Sequence, residues 1–382
     1  MAQRTYWIER VEGAWEQRSV VWLHGVRRVG KTTLCRMLDD VIYFDFELPS
    51  VRRQLESPEL FFADLRGLRV ALDEIHRLAR PSEVLKIAAD HFPDIRVIAT
   101  GSSTLAAKAK FADTLTGRKA TVWLTPMMSR DLAEFGSRSL KERLWYGGLP
   151  PFYLSGDTAT AEQYQEWLDS FWARDVQELF RLERRHSFVR FVELLLVNSG
   201  GIFEGSAYAG PCEVSRTTIF NYLGVLEETR VAHVIRPFST RRATEIVGAP
   251  KVYAFDTGFV RHARSYREPR PEDYGALWEH YVLNEIHARV PGVRPHYWRT
   301  KHQQEVDFVF MRGDGLLLAV ECKWSDASLG ELRGLRAFVN AYPGAEAVVV
   351  VPRMEREYTI GLGGTHQGRV VDLEGLIARL KA

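Results

Sequence analysis

The sequence predicts an α/β protein made of several folding units. In the first third of the chain, short apolar strands alternate with helical stretches, which is the pattern of a parallel sheet covered by helices on both faces. The middle third spaces its apolar residues at threes and fours, as helices do, and the last third returns to helices and strands. A length of 382 residues allows two to four such units.

Composition and charge exclude several classes of protein. A hydrophobic fraction of 46% and a charged fraction of 26% are those of an ordinary globular protein, with no sign of wholesale disorder. Only three cysteines occur and none forms a CxxC pair, so neither a disulfide framework nor a thiolate zinc site is indicated. The net charge of +2 does not identify a nucleic-acid binder, which would need local basic surfaces.

No segment of the sequence reads as a membrane or export signal. The first residues, MAQRTYWIERVEGAWEQRS, are charged throughout and lack an apolar signal core. No later apolar run is long enough to span a bilayer. We therefore expect a cytoplasmic protein with no membrane partner.

The first motif is a glycine-punctuated loop, GVRRVGKT, between an apolar strand and an amphipathic helix. It matches G-x-x-x-x-G-K-T in the strand and helix context that a phosphate-binding loop (P-loop) requires. The glycines let the loop curl so that backbone N–H groups face phosphate oxygens at a helix N-terminus. Lys31 is predicted to bind the β- and γ-phosphates and Thr32 to bind Mg²⁺, so ATP and Mg²⁺ are the expected cofactors. The predicted nucleotide-binding residues of this loop are Gly25, Val26, Arg27, Arg28, Val29, Gly30, Lys31, Thr32 and Thr33.

A second apolar strand, LRVALDE, ends in two acids. We expect Asp73 to hold Mg²⁺ through water and Glu74 to polarise the attacking water, which would make the protein a hydrolase. The alternative is that LDE merely starts a solvated helix. The strand VIYFDFE, with Asp45 at its end, is read as the neighbour in a parallel sheet whose carboxyl edge holds the nucleotide.

Other polar residues follow the third strand, IRVIATGSS. Ser102 or Ser103 is placed to sense the γ-phosphate, although Ser103 would equally suit a helix N-cap. Arg118 and Arg130 are candidates for an arginine that reaches the γ-phosphate of a neighbouring subunit; a structural role is the alternative for both.

The middle of the chain predicts a helical lid followed by a winged helix. In the lid, Arg174 is read either as a sensor arginine or as one half of an ion pair. Ser215 is a good N-cap for a helix whose outward face carries candidate DNA contacts, and two strands around an arginine-bearing hairpin follow. The predicted DNA-binding residues are Arg216, Thr217, Asn221, Arg241 and Arg242. The alternative is a winged helix used for packing, and the glycine-rich segment FEGSAYAGPCE predicts a short or distorted first helix.

After the segment SYREPRPEDYG, read as a linker, the chain orders its charged residues in a distinctive way. A helix carries Glu279, the strand EVDFVF carries Asp307, and the strand LLLAVECKW carries Glu321 and Lys323 on one face. Converging carboxylates suit Mg²⁺, and Lys323 could orient a water for attack on a phosphodiester. We expect Glu279, Asp307 and Glu321 to bind metal, with Glu321 and Lys323 catalytic and Glu285 left open as a second helix acid. The alternative is an exposed ion pair at a strand end.

These segments together resemble a known family. GVRRVGKTTL, LDEIHR, ATGSS, LTGR, YGGLP, ALWEHYVLNEI, YWRTKHQQEVDFVF and VECKWS are similar, in this order, to prokaryotic AAA+ P-loop ATPases with a C-terminal domain of unknown function related to PD-(D/E)XK nucleases. The resemblance implies an AAA+ parallel-sheet ATPase core, a helical lid, a winged-helix-like middle and a nuclease-like α/β domain. We place these at residues 1–145, 146–189, 190–264 and 265–382.

Two functions fit this reading. The first is an ATP-hydrolysing enzyme that binds and remodels DNA as a helicase, branch-migration enzyme or translocase, assembles as a homo-oligomer, and carries an Mg²⁺-dependent nuclease site. The second is a regulatory ATPase switch whose nuclease-like domain only binds nucleic acid or a protein partner.

Overall fold

The computed structural model describes residues 3–101, 115–136, 139–177, 180, 182, 184–240, 248–266, 268, 270–325 and 332–382. The chain divides into two compact units. The first comprises Met1–Arg143, Gly148–Val189 and Asn221–Val231, and the second comprises Leu144–Gly147, Arg190–Phe220 and Ala232–Ala382. Within the described ranges, no helix is both long enough and apolar enough to cross a membrane.

The first unit is built on a five-stranded parallel sheet in the order β2-β3-β4-β1-β5. Its strands are β1 (Val20–His24), β2 (Val41–Asp45), β3 (Arg69–Asp73), β4 (Arg96–Thr100) and β5 (Lys119–Trp123). The helices along these strands are α1 (Thr5–Gln17), α2 (Lys31–Met37), α3 (Pro49–Gln54), α4 (Pro58–Ala63), α5 (Pro81–His91) and α6 (Ser129–Leu132). This is the parallel α/β core that the sequence predicts.

The central strands are apolar except at their ends, because helices cover both faces of the sheet. Strand β1 is buried at all five positions, and its Trp22 belongs to one hydrophobic core with Val70 of β3 and Val97 of β4. All five strands run in the same direction, so their carboxyl ends meet at one edge. The loops that leave this edge carry the polar residues considered below.

The middle of the chain is helical, as expected. Its helices are α7 (Leu140–Tyr146), α8 (Pro150–Ser155), α9 (Ala161–Phe171), a π-helical turn (Trp172–Gln177) and α10 (Arg185–Val197). The stretch after α10 contains β6 (Gly201–Ile202), α11 (Gly205–Ala209), α12 (Arg216–Glu228), β7 (Ala232–Pro237) and β8 (Lys251–Ala254). Helix α11 has only five residues, in agreement with the short first helix predicted from FEGSAYAGPCE.

The second unit contains a mixed nine-stranded sheet in the order β13-β14-β12-β11-β10-β9-β7-β8-β6. Its remaining elements are α13 (Thr257–Ala263), α14 (Pro271–Arg289), β9 (His296–Arg299), β10 (Glu305–Met311), β11 (Leu317–Cys322), α15 (Arg333–Ala341), β12 (Glu346–Val350), β13 (Tyr358–Gly363), β14 (His366–Val371) and α16 (Leu373–Lys381). Strands β7 and β9 pair in parallel, with Arg236 beside His296, so β6, β7 and β8 belong to the same sheet as the C-terminal strands.

Two expectations about this region change. One change between the units falls between Val189 and Arg190, at a predicted boundary, whereas the nine-stranded sheet continues across the predicted boundary at residue 264. Helix α14 begins at Pro271, inside the segment read as a linker. Proline suits the first turn of a helix, and the Asp273 carboxylate accepts the backbone N–H of Arg270 at 3.2 Å, so SYREPRPEDYG contains a capped helix start.

Candidate nucleotide site and acidic cluster

The loop between β1 and α2 is curled as a phosphate-binding loop requires. Gly30 has φ 104° and Arg28 has φ 63°, left-handed values that turn the chain into the first residue of α2. The Lys31 ammonium donates to the carbonyls of Gly25 at 2.9 Å and Val26 at 3.2 Å, so it lies over its own loop. Burial lowers the pKa of Lys31 from its ordinary value.

Asp73 lies at the end of β3 and accepts hydrogen bonds from three hydroxyl groups. Thr32 Oγ1 donates to Asp73 Oδ2 at 2.8 Å and Tyr43 Oη donates to the same oxygen at 2.5 Å, while Thr100 donates to Oδ1. The three donors come from α2, β2 and β4. Parallel pairing of β2 and β4 with β3 places Tyr43 and Thr100 beside Asp73, and the first turn of α2 brings Thr32, the other predicted Mg²⁺ ligand of this pair, into contact with it.

Glu74 follows Asp73 in a left-handed conformation with φ 56°. Its Oε2 lies 3.0 Å from Nδ1 of His76, and its backbone N–H donates to Thr100 Oγ1 at 3.1 Å. Burial would raise the pKa of Glu74, but the hydrogen bond from His76 and the charges of Lys31 and Arg27 lower it to about 2. The surroundings of Glu74 therefore favour the ionised form of its carboxyl group.

Two cavities border the loop. The first, of about 340 Å³, is polar and has Lys31, Thr32, Glu74, His76 and Arg174 among its lining residues. The second, of about 430 Å³, is more apolar, and Leu34, Met37, Phe135 and Leu154 line it. Gly30, Thr33 and Pro150 contribute to both cavities, so a space suited to phosphates adjoins a space suited to a base.

The loop arginines are held by acids of the helical region. Arg27 Nε lies 3.1 Å from Asp175 Oδ2, and Arg28 Nη2 lies 3.2 Å from Glu166 Oε1. Arg174 lines the polar cavity, as a sensor arginine would, and is also 3.6 Å from an oxygen of Glu47, as one half of an ion pair would be.

The other predicted nucleotide sensors lie elsewhere in the first unit. Arg118 pairs with Asp90 at 2.7 Å, and the guanidinium of Arg130 lies over the ring of Tyr6, 5.4 Å from its centroid. Neither lines the polar cavity. Ser102 and Ser103 lie outside the described residues.

The oxygen donors at the P-loop fit Mg²⁺. A hydroxyl and a carboxylate, 2.8 Å apart beside the polar cavity, are hard ligands of the kind this ion prefers. Thr32 would bind the ion directly and Asp73 through water, as expected from the sequence.

The predicted acids of the second unit also converge. The antiparallel register of β10 and β11 pairs Phe308 with Val320, so Asp307 and Glu321 lie at the adjacent position of the two strands. The backbone N–H of Cys322 donates to Asp307 Oδ2 at 2.7 Å, and Lys323 Nζ lies 3.0 Å from Glu321 Oε1. Burial, reinforced by nearby carboxylates, raises the pKa of Asp307 well above its usual range and that of Glu321 to about 6. The second oxygen of Glu321 is buried and accepts no hydrogen bond from any described residue.

A lysine that sequence reasoning did not single out lies within this acidic cluster. Lys251 of β8 is 3% exposed, and its Nζ lies 3.1 Å from Glu279 Oε1 and 2.7 Å from Glu305 Oε1. Tyr253, two residues further along β8, donates its hydroxyl proton to Glu279. Burial would lower the pKa of Lys251, but the charges of Glu279, Asp307 and Glu305 raise it well above its usual value.

The expected metal cage of Glu279, Asp307 and Glu321 therefore needs correction. In the part of the chain that the structure describes, no three His, Cys, Asp or Glu side chains are arranged to hold a metal ion. Glu279 instead accepts a hydrogen bond from the Lys251 ammonium. Glu285, the other helix acid, is fully buried and lies 3.6 Å from Arg289, so it pairs elsewhere.

The predicted DNA-binding residues lie on one face of α12 where the structure describes them. Arg216, Thr217 and Asn221 are exposed, and the backbone N–H of Thr218 donates to Ser215 Oγ at 3.1 Å, which caps the helix. The Arg216 guanidinium lies over the exposed ring of Phe220. Arg241 and Arg242 lie outside the described residues.

Four functional candidates escaped sequence reasoning, for different reasons. Thr100 was detectable, because it is the last residue of the strand that precedes Ser102. His76 was detectable as an imidazole two residues after Glu74. Tyr43 and Lys251 lie on strands with no local signal, and only the sheet order reveals their partners.

Comparisons with known protein families match three stretches of the chain. Residues 17–133 match the AAA domain family. Residues 137–270 and 274–366 match two domains of unknown function, DUF8612 and DUF4143.

Similar proteins carry little functional description. The uncharacterized proteins Mb2031c of Mycobacterium bovis and Rv2008c of Mycobacterium tuberculosis are each 28% identical to this chain over 309 residues, which is 78% of this chain and 69% of theirs. Among solved structures, the Walker-type ATPase PABY2304 of Pyrococcus abyssi aligns with 69% of this chain and 96% of its own, at 18% identity and a TM-score of 0.47. The AAA match and the P-loop geometry together identify residues 17–133 as an AAA-type ATPase domain that binds nucleotide.

Proposed function

We propose that this protein is a cytoplasmic, Mg²⁺-dependent ATPase that uses ATP hydrolysis to bind and remodel DNA. The observation that carries the ATPase part is the convergence of Lys31, Thr32, Asp73 and Glu74 around one polar cavity at the carboxyl edge of the parallel sheet. Each of these residues supplies a different part of the chemistry of phosphoryl transfer to water.

The residues of the first unit have the following roles in this proposal. Lys31 leaves its two loop carbonyls and binds the β- and γ-phosphates. Mg²⁺, when bound at Thr32 and near Asp73, neutralises phosphate charge. Glu74 orients the attacking water and takes up its proton, while His76 holds the carboxylate in place. The apolar cavity beside Leu34, Met37 and Leu154 receives the base and excludes water from it.

ATP turnover and ATP binding, measured separately, test this assignment. Lys31→Ala should lose ATP binding, whereas Glu74→Gln should bind ATP but hydrolyse it about 10²- to 10⁴-fold more slowly, because only the base is removed. Arg80→Ala, at an arginine that is 76% exposed, is the control and should match wild type. Normal turnover in Glu74→Gln would exclude Glu74 as the base.

The DNA part of the proposal is supported by the element order α10-β6-α11-α12-β7-β8. Strands β6, β8 and β7 are adjacent in that order, and α12 follows a short helix and a turn, which is similar to a winged helix with α12 as its recognition helix. The exposed Arg216, Thr217 and Asn221 would face the groove, with Arg241 and Arg242 as proposed phosphate contacts.

DNA binding and DNA-stimulated ATP turnover test this part. Arg216→Ala with Asn221→Ala should weaken binding to duplex, forked and four-way DNA, because it removes two of the exposed side chains that would face the groove. Arg80→Ala again serves as the control. If none of these DNAs binds to wild type or changes its ATP turnover, DNA is not the partner.

A second candidate function is a regulatory ATPase switch whose C-terminal region binds nucleic acid or protein without cutting it. The order α14, β9, β10, β11, α15, β12 is similar to the core of PD-(D/E)XK nucleases, which supports that fold for this region. The observation that favours a switch is that the described acids do not form a metal cage. ATP-dependent assembly with no response to DNA would favour the switch over remodelling.

We further propose that the protein works as a homo-oligomer, with Arg118 or Arg130 acting on a neighbour's γ-phosphate. Sedimentation of Glu74→Gln with ATP should show assembly. Mixing Glu74→Gln with Arg118→Ala or Arg130→Ala should then restore part of the turnover only if the arginine acts between subunits.

A further inference from the structure

Arg27 of the P-loop is attached to the helical region by its side chain and by its backbone. Its Nε donates to Asp175 Oδ2 at 3.1 Å, and its backbone carbonyl accepts the indole N–H of Trp167 at 3.1 Å. Trp167 is fully buried, and all three residues belong to the first unit. Because the indole holds the loop backbone, the Arg27 side chain can exchange Asp175 for another anion while the loop stays in place.

The Arg27 guanidinium has further donors beside the polar cavity. A guanidinium carries five N–H groups. Within the described part of the chain, only the Nε–H of Arg27 has an acceptor, so its Nη1 and Nη2 groups donate to no described residue. The side chain is 26% exposed and lines the polar cavity. Such a guanidinium can bind a phosphate through two parallel hydrogen bonds.

Arg27 lies at the end of the cavity where the γ-phosphate is expected. It lines the polar cavity together with Lys31 and Glu74, and it does not line the apolar cavity assigned to the base. Its charge lowers the pKa of both Lys31 and Glu74, so Arg27 is within electrostatic range of both groups. In the proposed reaction these groups act at the γ-phosphate and at the attacking water. ADP lacks the γ-phosphate and would leave Arg27 paired with Asp175.

Asp175 lies in a segment whose conformation can respond to the loss of this ion pair. It belongs to the π-helical turn Trp172–Gln177, and π-helical turns are rare and frequent at functional sites. The Asp175 side chain is 12% exposed and itself lines the polar cavity. A carboxylate that loses its cation beside a phosphate is repelled by that phosphate. The turn would therefore move away from a bound triphosphate.

We infer that Arg27 senses the γ-phosphate by exchanging Asp175 for it, and that the released Asp175 loosens the π-helical turn. ATP breaks the ion pair, whereas ADP leaves it intact. The inference rests on the proposed ATPase function and deepens it, because it names the pair of residues that distinguishes ATP from ADP.

Equilibrium binding of ADP and of the non-hydrolysable ATP analogue AMP-PNP, both with Mg²⁺, tests the sensor by calorimetry on the full chain. Arg27→Gln should bind AMP-PNP about 10- to 100-fold more weakly, which is the cost of a charge-assisted hydrogen bond, and should bind ADP within about threefold of wild type. An unchanged ratio of the two affinities would overturn the inference alone. Wild type that binds neither nucleotide would instead refute the proposed ATPase and the inference with it.

Asp175→Asn should strengthen AMP-PNP binding about threefold, because it removes the anion that competes for Arg27. Glu166→Gln is the matched control. It makes the same change in net charge and also removes an acid that pairs with a loop arginine, Arg28 at 3.2 Å, but Glu166 does not line the polar cavity. An equal gain in both variants would show that general charge governs binding and would overturn the inference.

Hydrogen–deuterium exchange of peptides that cover Trp172–Gln177 tests the release of the turn. In wild type, AMP-PNP should accelerate exchange at least about threefold over ADP, whereas in Arg27→Gln the two nucleotides should have the same effect. Equal exchange with both nucleotides in wild type would contradict the inference.

Circular dichroism monitors folding of the variants. If Arg27→Gln does not fold, the double variant Arg27→Gln with Asp175→Asn takes its place, because it leaves neither charge without its partner. Compared with Asp175→Asn alone, the double variant should still bind AMP-PNP about 10- to 100-fold more weakly. Equal binding by these two variants would show that Arg27 is only a structural partner of Asp175.

Discussion

Removing Asp131 should loosen the N-terminal helix and the P-loop together. The Arg4 guanidinium, 4% exposed, donates to Asp131 Oδ1 at 3.1 Å and to Oδ2 at 2.7 Å. It also donates to the carbonyls of Val29, within the P-loop, at 3.0 Å and of Thr125 at 3.1 Å. One buried cation therefore joins α1, the P-loop and the segment after β5.

The expected cost follows from these contacts. Asp131→Ala leaves a buried guanidinium with carbonyl acceptors but no counter-charge, which costs about 3–5 kcal/mol. The backbone N–H of Met128 also loses its acceptor, Asp131 Oδ2 at 2.9 Å, for roughly 1 kcal/mol more. The matched control is Arg4→Met with Asp131→Leu, which loses the same backbone hydrogen-bond partners but leaves no unpaired charge buried, so it should cost clearly less than Asp131→Ala.

Hydrogen–deuterium exchange of peptides from Thr5–Gln17 measures the effect where it arises. A cost of about 3–5 kcal/mol corresponds to exchange that is between roughly 10²- and 10⁴-fold faster in Asp131→Ala. Exchange within about threefold of wild type would refute the reasoning. Equal acceleration in the double variant would also refute it, since the unpaired charge would then not be the cause.

Three further predictions concern single contacts. The folded-state pKa of Glu321 is raised from 4.5 to about 6, so its contribution to stability is full below pH 4.5 and is lost as pH rises through 6. The free energy of unfolding of Glu321→Gln, measured with urea, should therefore exceed that of wild type by up to about 2 kcal/mol at pH 8 and equal it at pH 4. A Cβ on Gly334 would overlap a backbone carbonyl of β10, so Gly334→Ala should cost at least about 1–3 kcal/mol, whereas Gly344→Ala, with nothing within 4 Å, should leave the melting temperature unchanged. Tyr43→Phe removes the 2.5 Å hydrogen bond to the Asp73 carboxylate and should cost about 1–2 kcal/mol of unfolding free energy; an unchanged urea midpoint would show that solvent replaces this bond.

The sequence predicts the nucleotide site better than the acidic cluster, and the reason is physical. The P-loop, Asp73 and Glu74 lie at strand ends, where a local pattern of apolar strand, polar turn and helix determines both the structure and the exposed groups. Their meeting point follows from parallel pairing alone. Thr100 was missed although it lies only two residues before Ser102, because the local pattern does not show which polar residue near the end of a strand reaches the site.

Lys251 could not be assigned from the sequence because its partners are determined by long-range pairing. It lies on a strand assigned to the winged-helix-like region, whereas Glu279 and Glu305 belong to the predicted nuclease-like domain. Its contacts arise only because β7 and β9 pair and extend the sheet past the expected boundary. No periodicity or motif near Lys251 carries that information.

The pairing of β7 with β9 also determines how this chain can be divided. The backbone N–H of Phe238 donates to the carbonyl of Tyr297 at 2.6 Å, in line with the parallel pairing of Arg236 and His296. A fragment that began at residue 265 would lose this partner strand, expose β9 as an unprotected edge open to aggregation, and discard Lys251 as well. Neither half of the nine-stranded sheet is therefore a module that can be deleted, exchanged or expressed alone, and gene fusions that split them should yield insoluble protein.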